Sequence, residues 1–281
     1  MKALKLGLKL AAVAGLSTLL SVSAYAGIEN SKHDLRGTAT GGGVKITNAT
    51  EICAFCHTPH GASEDTTAPL WNRVVASDQT AYSTATLDGT VVLAESPSLA
   101  CLSCHDGQQA MNTVINAPST AAAVGTPSNY NYVSDGIAFV GTSDKFMVGG
   151  DGVGLSGVAF LGTDLTNDHP VALPYAGGGI TTADKATVNT TLMADPDFKT
   201  TNLMVDEIGG ATAWWIETGG NATRSKTDLI LYARDATNVG YVECATCHDP
   251  HNGPAAGAPV QAFLRMSNND GSQVCLACHN K

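Results

Sequence analysis

The sequence is short of several things. Aromatic residues make up 6% of the 281 positions. A chain with so few large rings has little side-chain material for a deep core. Basic residues are scarce as well: 15 Lys and Arg stand against 25 Asp and Glu, a net charge of −10 at pH 7. A nucleic-acid partner calls for a basic surface, so this balance argues against one. Beyond residue 26 no apolar run approaches the roughly 20 residues that cross a bilayer as a helix, and no membrane span is expected. Finally, there is no cysteine outside a single motif. All eight cysteines fall into four copies of C-x-x-C-H: Cys53/Cys56/His57, Cys101/Cys104/His105, Cys244/Cys247/His248 and Cys275/Cys278/His279.

The first 26 residues predict a signal peptide. Lys2, Lys5 and Lys9 form a basic start, "AAVAGLSTLLSVS" follows as an apolar stretch, and Ala24-Tyr25-Ala26 fits a cleavage site before Gly27. An uncleaved anchor is the alternative, but the apolar run is short for a span. No cysteine stands near the cleavage site, so no N-terminal lipid anchor is indicated. Export through the Sec pathway is expected, to the cell surface or beyond, with the periplasm as the alternative. Loss of three lysines with the leader makes the remaining chain more acidic still.

An exported chain rich in cysteine ordinarily suggests disulfides. The spacing overrules that default. C-x-x-C-H is the attachment site of c-type haem. Its two thiols form thioethers with the porphyrin vinyl groups, and the histidine reaches the iron. A single copy could be half of a zinc site; four copies that use every cysteine predict four covalently attached haem c groups. His57, His105, His248 and His279 are then the proximal ligands.

The chain has eight histidines. The other four, His33, His60, His169 and His251, match the four distal positions that six-coordinate iron requires. His60 and His251 each follow a motif histidine by three residues, as in "CAFCHTPH" and "CATCHDPH". Methionine is the competing distal ligand, but Met111, Met147, Met193, Met204 and Met266 are expected to pack instead. Iron with two imidazoles has no open position, whereas catalytic metal sites keep one. Electron transfer is therefore expected rather than enzyme activity, at lower potential than a histidine–methionine pair gives. A multihaem reductase would need an open iron, and no C-x-x-C-K motif is present.

The expected fold is mostly irregular coil with few short helices and short strands, organised around four stacked haems. Residues 27–110 form an N-terminal region with two haem motifs, and residues 241–281 form a C-terminal region with two more. Residues 111–240 form a Gly- and Thr-rich irregular region with few strands and one distal histidine, His169. "SPSLACLSCHDG" predicts a helix with Ser96 as cap, Pro97 at its first position and Gly107 past its end. Asn48 with Glu51, and Ser272, are further candidate caps. "TATLDGTVVLA" predicts a hairpin turning at Asp88-Gly89. Four porphyrins would supply the apolar bulk that the side chains lack.

The combination "SKHDL…EICAFCHTPHG…CLSCHDG…LGTDLTNDHPV…ECATCHDPHNG…SQVCLACHNK" resembles the doubled-motif, extracellular tetrahaem cytochromes of metal-reducing bacteria, in particular the OmcE-like group that forms cytochrome filaments. The resemblance implies a homopolymer, with redox partner cytochromes and extracellular electron acceptors such as metal oxides or other cells. It also implies a ligand pairing: His33 with His57, His169 with His105, His251 with His279, and His60 with His248 of a neighbouring subunit. A discrete periplasmic electron shuttle, with His60 bound inside its own chain, is the plainer alternative.

Overall fold

Regular structure is short and scattered, as glycine-broken apolar runs dictate. The computed structural model describes residues 27–36, 38, 51–75, 77–87, 89–107, 113–116, 130–131, 159–180, 196–221, 223–234, 239–252, 263–268 and 271–280. The predicted signal peptide, Asn48, Asp88, Met111, Met147 and Met193 lie outside the described residues. The elements in chain order are helix α1 (Ser98–His105), strands β1 (Thr113–Val114), β2 (Tyr130–Asn131) and β3 (Leu173–Pro174), and a 3-10 turn at Tyr175–Gly177. Strands β4 (Leu203–Ile208), β5 (Ala211–Ile216), β6 (Leu229–Leu231) and β7 (Tyr241–Val242) follow, then helices α2 (Cys244–Cys247) and α3 (Gln273–Leu276). The fold is thus mostly coil with few short helices and strands. Among the described residues no helix is long and apolar enough to cross a membrane.

The most regular part was not foreseen in detail. Strands β4 and β5 form an antiparallel hairpin closed by Gly209 and Gly210, whose φ angles are 62° and 84°. Positive φ at both turn residues matches strand twist, and glycine supplies it without strain. The open end of this hairpin is the core. Trp214 and Ile216 pair with Leu231 and Leu229 of β6, and all four are at most 2% exposed. Tyr175, Ala176, Ile180, Leu203, Val239 and Ala277 complete the cluster, with Phe198, Met266 and Cys278 among the residues packed against it. Residues of the middle and C-terminal regions therefore share one core. Asp228 closes the β5–β6 connection by accepting the N–H of Thr218 and of Ser225, at 2.9 and 2.6 Å.

The helix predicted around the second motif is present, shifted by one residue. Pro97 occupies the cap position, and Ser96 Oγ accepts the N–H of Ser98 at 3.1 Å. Gly107 takes a φ of 77°, as expected past a helix end. Leu99 and Leu102 pack on Leu165 as a second small core. Ser272 does precede α3, but in a left-handed conformation without a side-chain cap bond. The hairpin expected at Asp88-Gly89 is not seen: the described residues on either side carry no strand. Val92 donates instead to Ala172, at 2.7 Å, and Thr80 bridges Asp164. Long-range partners win over the local turn signal.

Gly240 sits where the chain passes β6 at close range. A Cβ there would stand 2.7 Å from the backbone carbon of Leu231. Its neighbour Tyr241 exchanges two hydrogen bonds with Tyr232, both 2.9 Å, so the strand cannot retreat freely. Gly240→Ala should destabilise the folded, haem-loaded protein by about 1–3 kcal/mol, seen as a lower denaturant midpoint. An unchanged midpoint would contradict this tight approach.

Candidate haem sites

Each C-x-x-C-H segment forms one turn of helix, the local geometry that turns two thiols spaced by three residues to one side. In the first motif the N–H groups of Cys56 and His57 turn back on the Cys53 carbonyl, at 3.1 and 2.8 Å. The second motif ends α1. The third lies on α2, with His248 N–H donating to the Cys244 carbonyl at 3.0 Å. The fourth overlaps α3, with His279 N–H on the Cys275 carbonyl at 3.0 Å. The motifs adjoin in chain order: the Cys104 thiol helps raise the pKa of Cys56, the Cys244 thiol that of Cys101, and the Cys275 thiol that of Cys247. Burial pushes the Cys56 thiol up to about 12 and that of Cys247 to about 11.

The histidine rings form three close pairs. His57 and His251 lie 6.1 Å apart between centroids, with planes 15° apart. His33 and His105 lie 6.2 Å apart at 84°. His169 and His279 lie 6.4 Å apart at 68°. The neighbouring rings differ from the pairing that the resemblance implies. His33 stands against His105 and not His57, with Phe263 stacked on its ring at 4.2 Å. His169 stands against His279 and not His105; Phe198 bridges the backbone of His279 and packs on its ring at 4.5 Å, bringing the fourth motif to that side. His251 reaches His57 and not His279: its carbonyl accepts the N–H of Gly27, at 2.7 Å, on the N-terminal side of the molecule. His60 is exposed; its carbonyl is held by Asn116 Nδ2 at 2.7 Å. His248 is exposed too, and lies within electrostatic range of His33 and His105.

The residues fit a haem. A metal-bound histidine commonly donates its second ring N–H to a carbonyl or carboxylate, which fixes the tautomer and frees the other nitrogen. His57 Nδ1 lies 2.8 Å from the Pro69 carbonyl, His105 Nδ1 2.7 Å from that of Ala159, and His169 Nδ1 2.9 Å from that of Pro170. His251 Nδ1 faces Asp249 Oδ1 at 3.3 Å. His33 Nδ1 is buried with no hydrogen-bond partner among the described residues. Burial lowers the His33 pKa to about 4, reinforced by His105, His248 and His251, and burial lowers that of His105. Both imidazoles are neutral at physiological pH, the form that can ligate iron. Among the described residues no cluster of three or more His, Cys, Asp or Glu is arranged to hold a bare ion, as a zinc site would be.

A buried carboxylate locks the second and third motifs together. Glu243 caps α2 through a reciprocal pair of bonds with Thr246. It accepts the hydroxyls of Ser96 and Ser98, both at 2.6 Å, and pairs with Arg234 at 2.5 Å. Ser98 Oγ in turn accepts the N–H of Cys244 at 3.0 Å. Arg234 also reaches the Val92 carbonyl and lies over the Tyr241 ring at 4.4 Å. The sequence reading missed Glu243, although Glu three residues before Thr246 hinted at a reciprocal cap. It also missed Phe263, Phe198 and Trp71, the last set edge-on to His57 at 6.0 Å. No local pattern marks an aromatic ring that will meet a histidine far along the chain.

The family described as "Doubled CXXCH motif" matches residues 237–281, the span of the third and fourth motifs. No curated protein matches the chain. The motif indicates covalently bound haem c. The chain carries the marks of a multihaem c-type cytochrome, a class that transfers electrons. Bound haem would supply iron that accepts and releases one electron; the protein supplies thiols, neutral imidazoles and fixed ring orientations.

Glu243→Ala should cost about 2–4 kcal/mol, because it leaves the half-buried Arg234 without its carboxylate and the Ser96 and Ser98 hydroxyls without their acceptor. Denaturation of the haem-loaded variant should show it. A loss below about 1 kcal/mol would mean that Glu243 does not hold the two motifs together.

Proposed function

We propose that the protein is an exported tetrahaem electron carrier in which every iron has two histidine ligands, and that it polymerises into a conductive extracellular filament. Its role is electron transfer and not enzyme catalysis: eight histidines match the eight axial positions of four haems. The observation that carries the tetrahaem reading is the set of four C-x-x-C-H motifs; three histidine ring pairs at 6.1, 6.2 and 6.4 Å support two histidines per iron. Thiol pairs that adjoin in chain order suit close haem edges and a continuous electron path.

The polymer reading rests on His60. His251 follows a motif histidine by three residues and reaches a ring on another motif. His60 has the same spacing from His57, and it is exposed. We assign it to the haem of His248 in a neighbouring subunit. One bond would then complete a ligand set and define a subunit contact. Homopolymer contacts, redox partner cytochromes and mineral or cellular acceptors follow from this reading, as does export beyond the cell.

His60→Ala should abolish filaments in electron micrographs. It should leave one haem open to carbon monoxide while the others stay low-spin. Unchanged filaments in that variant would refute the assignment. Wild-type protein that sediments as a monomer at micromolar concentration, with every iron six-coordinate, would instead identify a discrete shuttle.

A further inference from the structure

The three ring pairs carry a further inference, which rests on the reading of the chain as a multihaem cytochrome. We propose that His57 with His251, His33 with His105, and His169 with His279 are the axial pairs of three separate haems, and that their ring angles divide those haems into two electronic kinds.

The separation is the first ground. Two imidazoles that hold one metal ion through nitrogens at about 2 Å each have centroids about 6 Å apart. The three pairs lie at 6.1, 6.2 and 6.4 Å. Face-on stacking in the same protein is tighter, with His33 and Phe263 4.2 Å apart; edge-on contact occurs near 6 Å as well, as for His57 and Trp71 at 6.0 Å, so the spacing counts because both rings of each pair are possible iron ligands. The histidine pairs are thus spaced for an atom between them. Each pair joins segments far apart in sequence, so the spacing is not a by-product of local turns.

The orientations are the second ground. The rings are held by their surroundings. Pro69 and Asp249 fix His57 and His251, Ala159 and Phe263 fix His105 and His33, and Pro170 and Phe198 fix His169 and His279. The planes of His57 and His251 differ by only 15°. Parallel imidazoles donate π density along one direction and split the two iron orbitals that receive it. The other two pairs cross at 84° and 68°. Crossed imidazoles donate along both directions and leave those orbitals nearly degenerate.

Low-temperature electron paramagnetic resonance of the oxidised, haem-loaded protein separates the two kinds. The parallel pair should give a resolved rhombic low-spin spectrum, and the crossed pairs broad features at low field. Single variants then link each distal histidine to its proximal partner. His251→Met should remove the rhombic component of this pair, and Trp71→Phe, which alters the ring beside His57, should shift that same component. His169→Met should remove one low-field feature, and Phe198→Leu, beside His279, should shift the same one. A wild-type spectrum without any resolved rhombic component would overturn the proposal, with no variant needed. So would a shift of one shared component by His251→Met and Phe198→Leu, since that would pair His251 with His279. In both cases low-spin haem signals leave the cytochrome reading intact. Absence of any low-spin haem signal from the mature protein would defeat that reading as well.

Discussion

The structure depends on one geometric constraint: two imidazoles from distant parts of the chain must face each other across about 6 Å. A chain with few aromatics and many glycines does not hold rings apart by itself. It does so here with backbone carbonyls on ring nitrogens, and with Phe263 and Phe198 against ring faces. With haem bound between its rings, each pair would also be a long-range crosslink. His33 ties the N-terminal segment to α1, His251 ties the turn after α2 to the first motif, and His169 ties the middle region to the fourth. Covalent haem between such rings would contribute to folding much as structural metals do. This explains how so little regular structure can suffice.

Two protein-only devices support the frame. The β4–β5–β6 sheet builds the larger core, and Ala277 and Cys278 of the fourth motif pack against it. Glu243 joins α1 to α2 by accepting from Ser96, Ser98 and Arg234. A buried carboxylate is tolerable here because two hydroxyls and a guanidinium donate to it, although Arg234 Nε itself has no partner among the described residues. These two devices place the second, third and fourth motifs; the first is held by the buried Asn72, which donates to the Ala54 and Cys56 carbonyls, and by the bridge of His57 to Trp71.

The chemistry was more legible in the sequence than the architecture. C-x-x-C-H fixes the attachment residues by spacing alone, and the helix at the second motif announced itself through Ser96, Pro97 and Gly107. The sparse regular structure followed from glycine-broken apolar runs. The partners of each ring did not follow. A histidine carries no local mark of which distant ring it will meet, and the rings that lie beside His33, His169 and His251 are not the ones the resemblance implies. The hairpin at Gly209-Gly210 had a turn signal of the same kind as Asp88-Gly89; only the first had strands with a core to bury.

The central claim is that this chain is completed by haem at each of its four C-x-x-C-H motifs. Intact mass of the mature protein tests it most directly, after denaturation that strips any loosely held cofactor. The account predicts a mass above that of the polypeptide by four covalently bound haem units. A mature protein carrying fewer, or releasing its haem on denaturation, would contradict it.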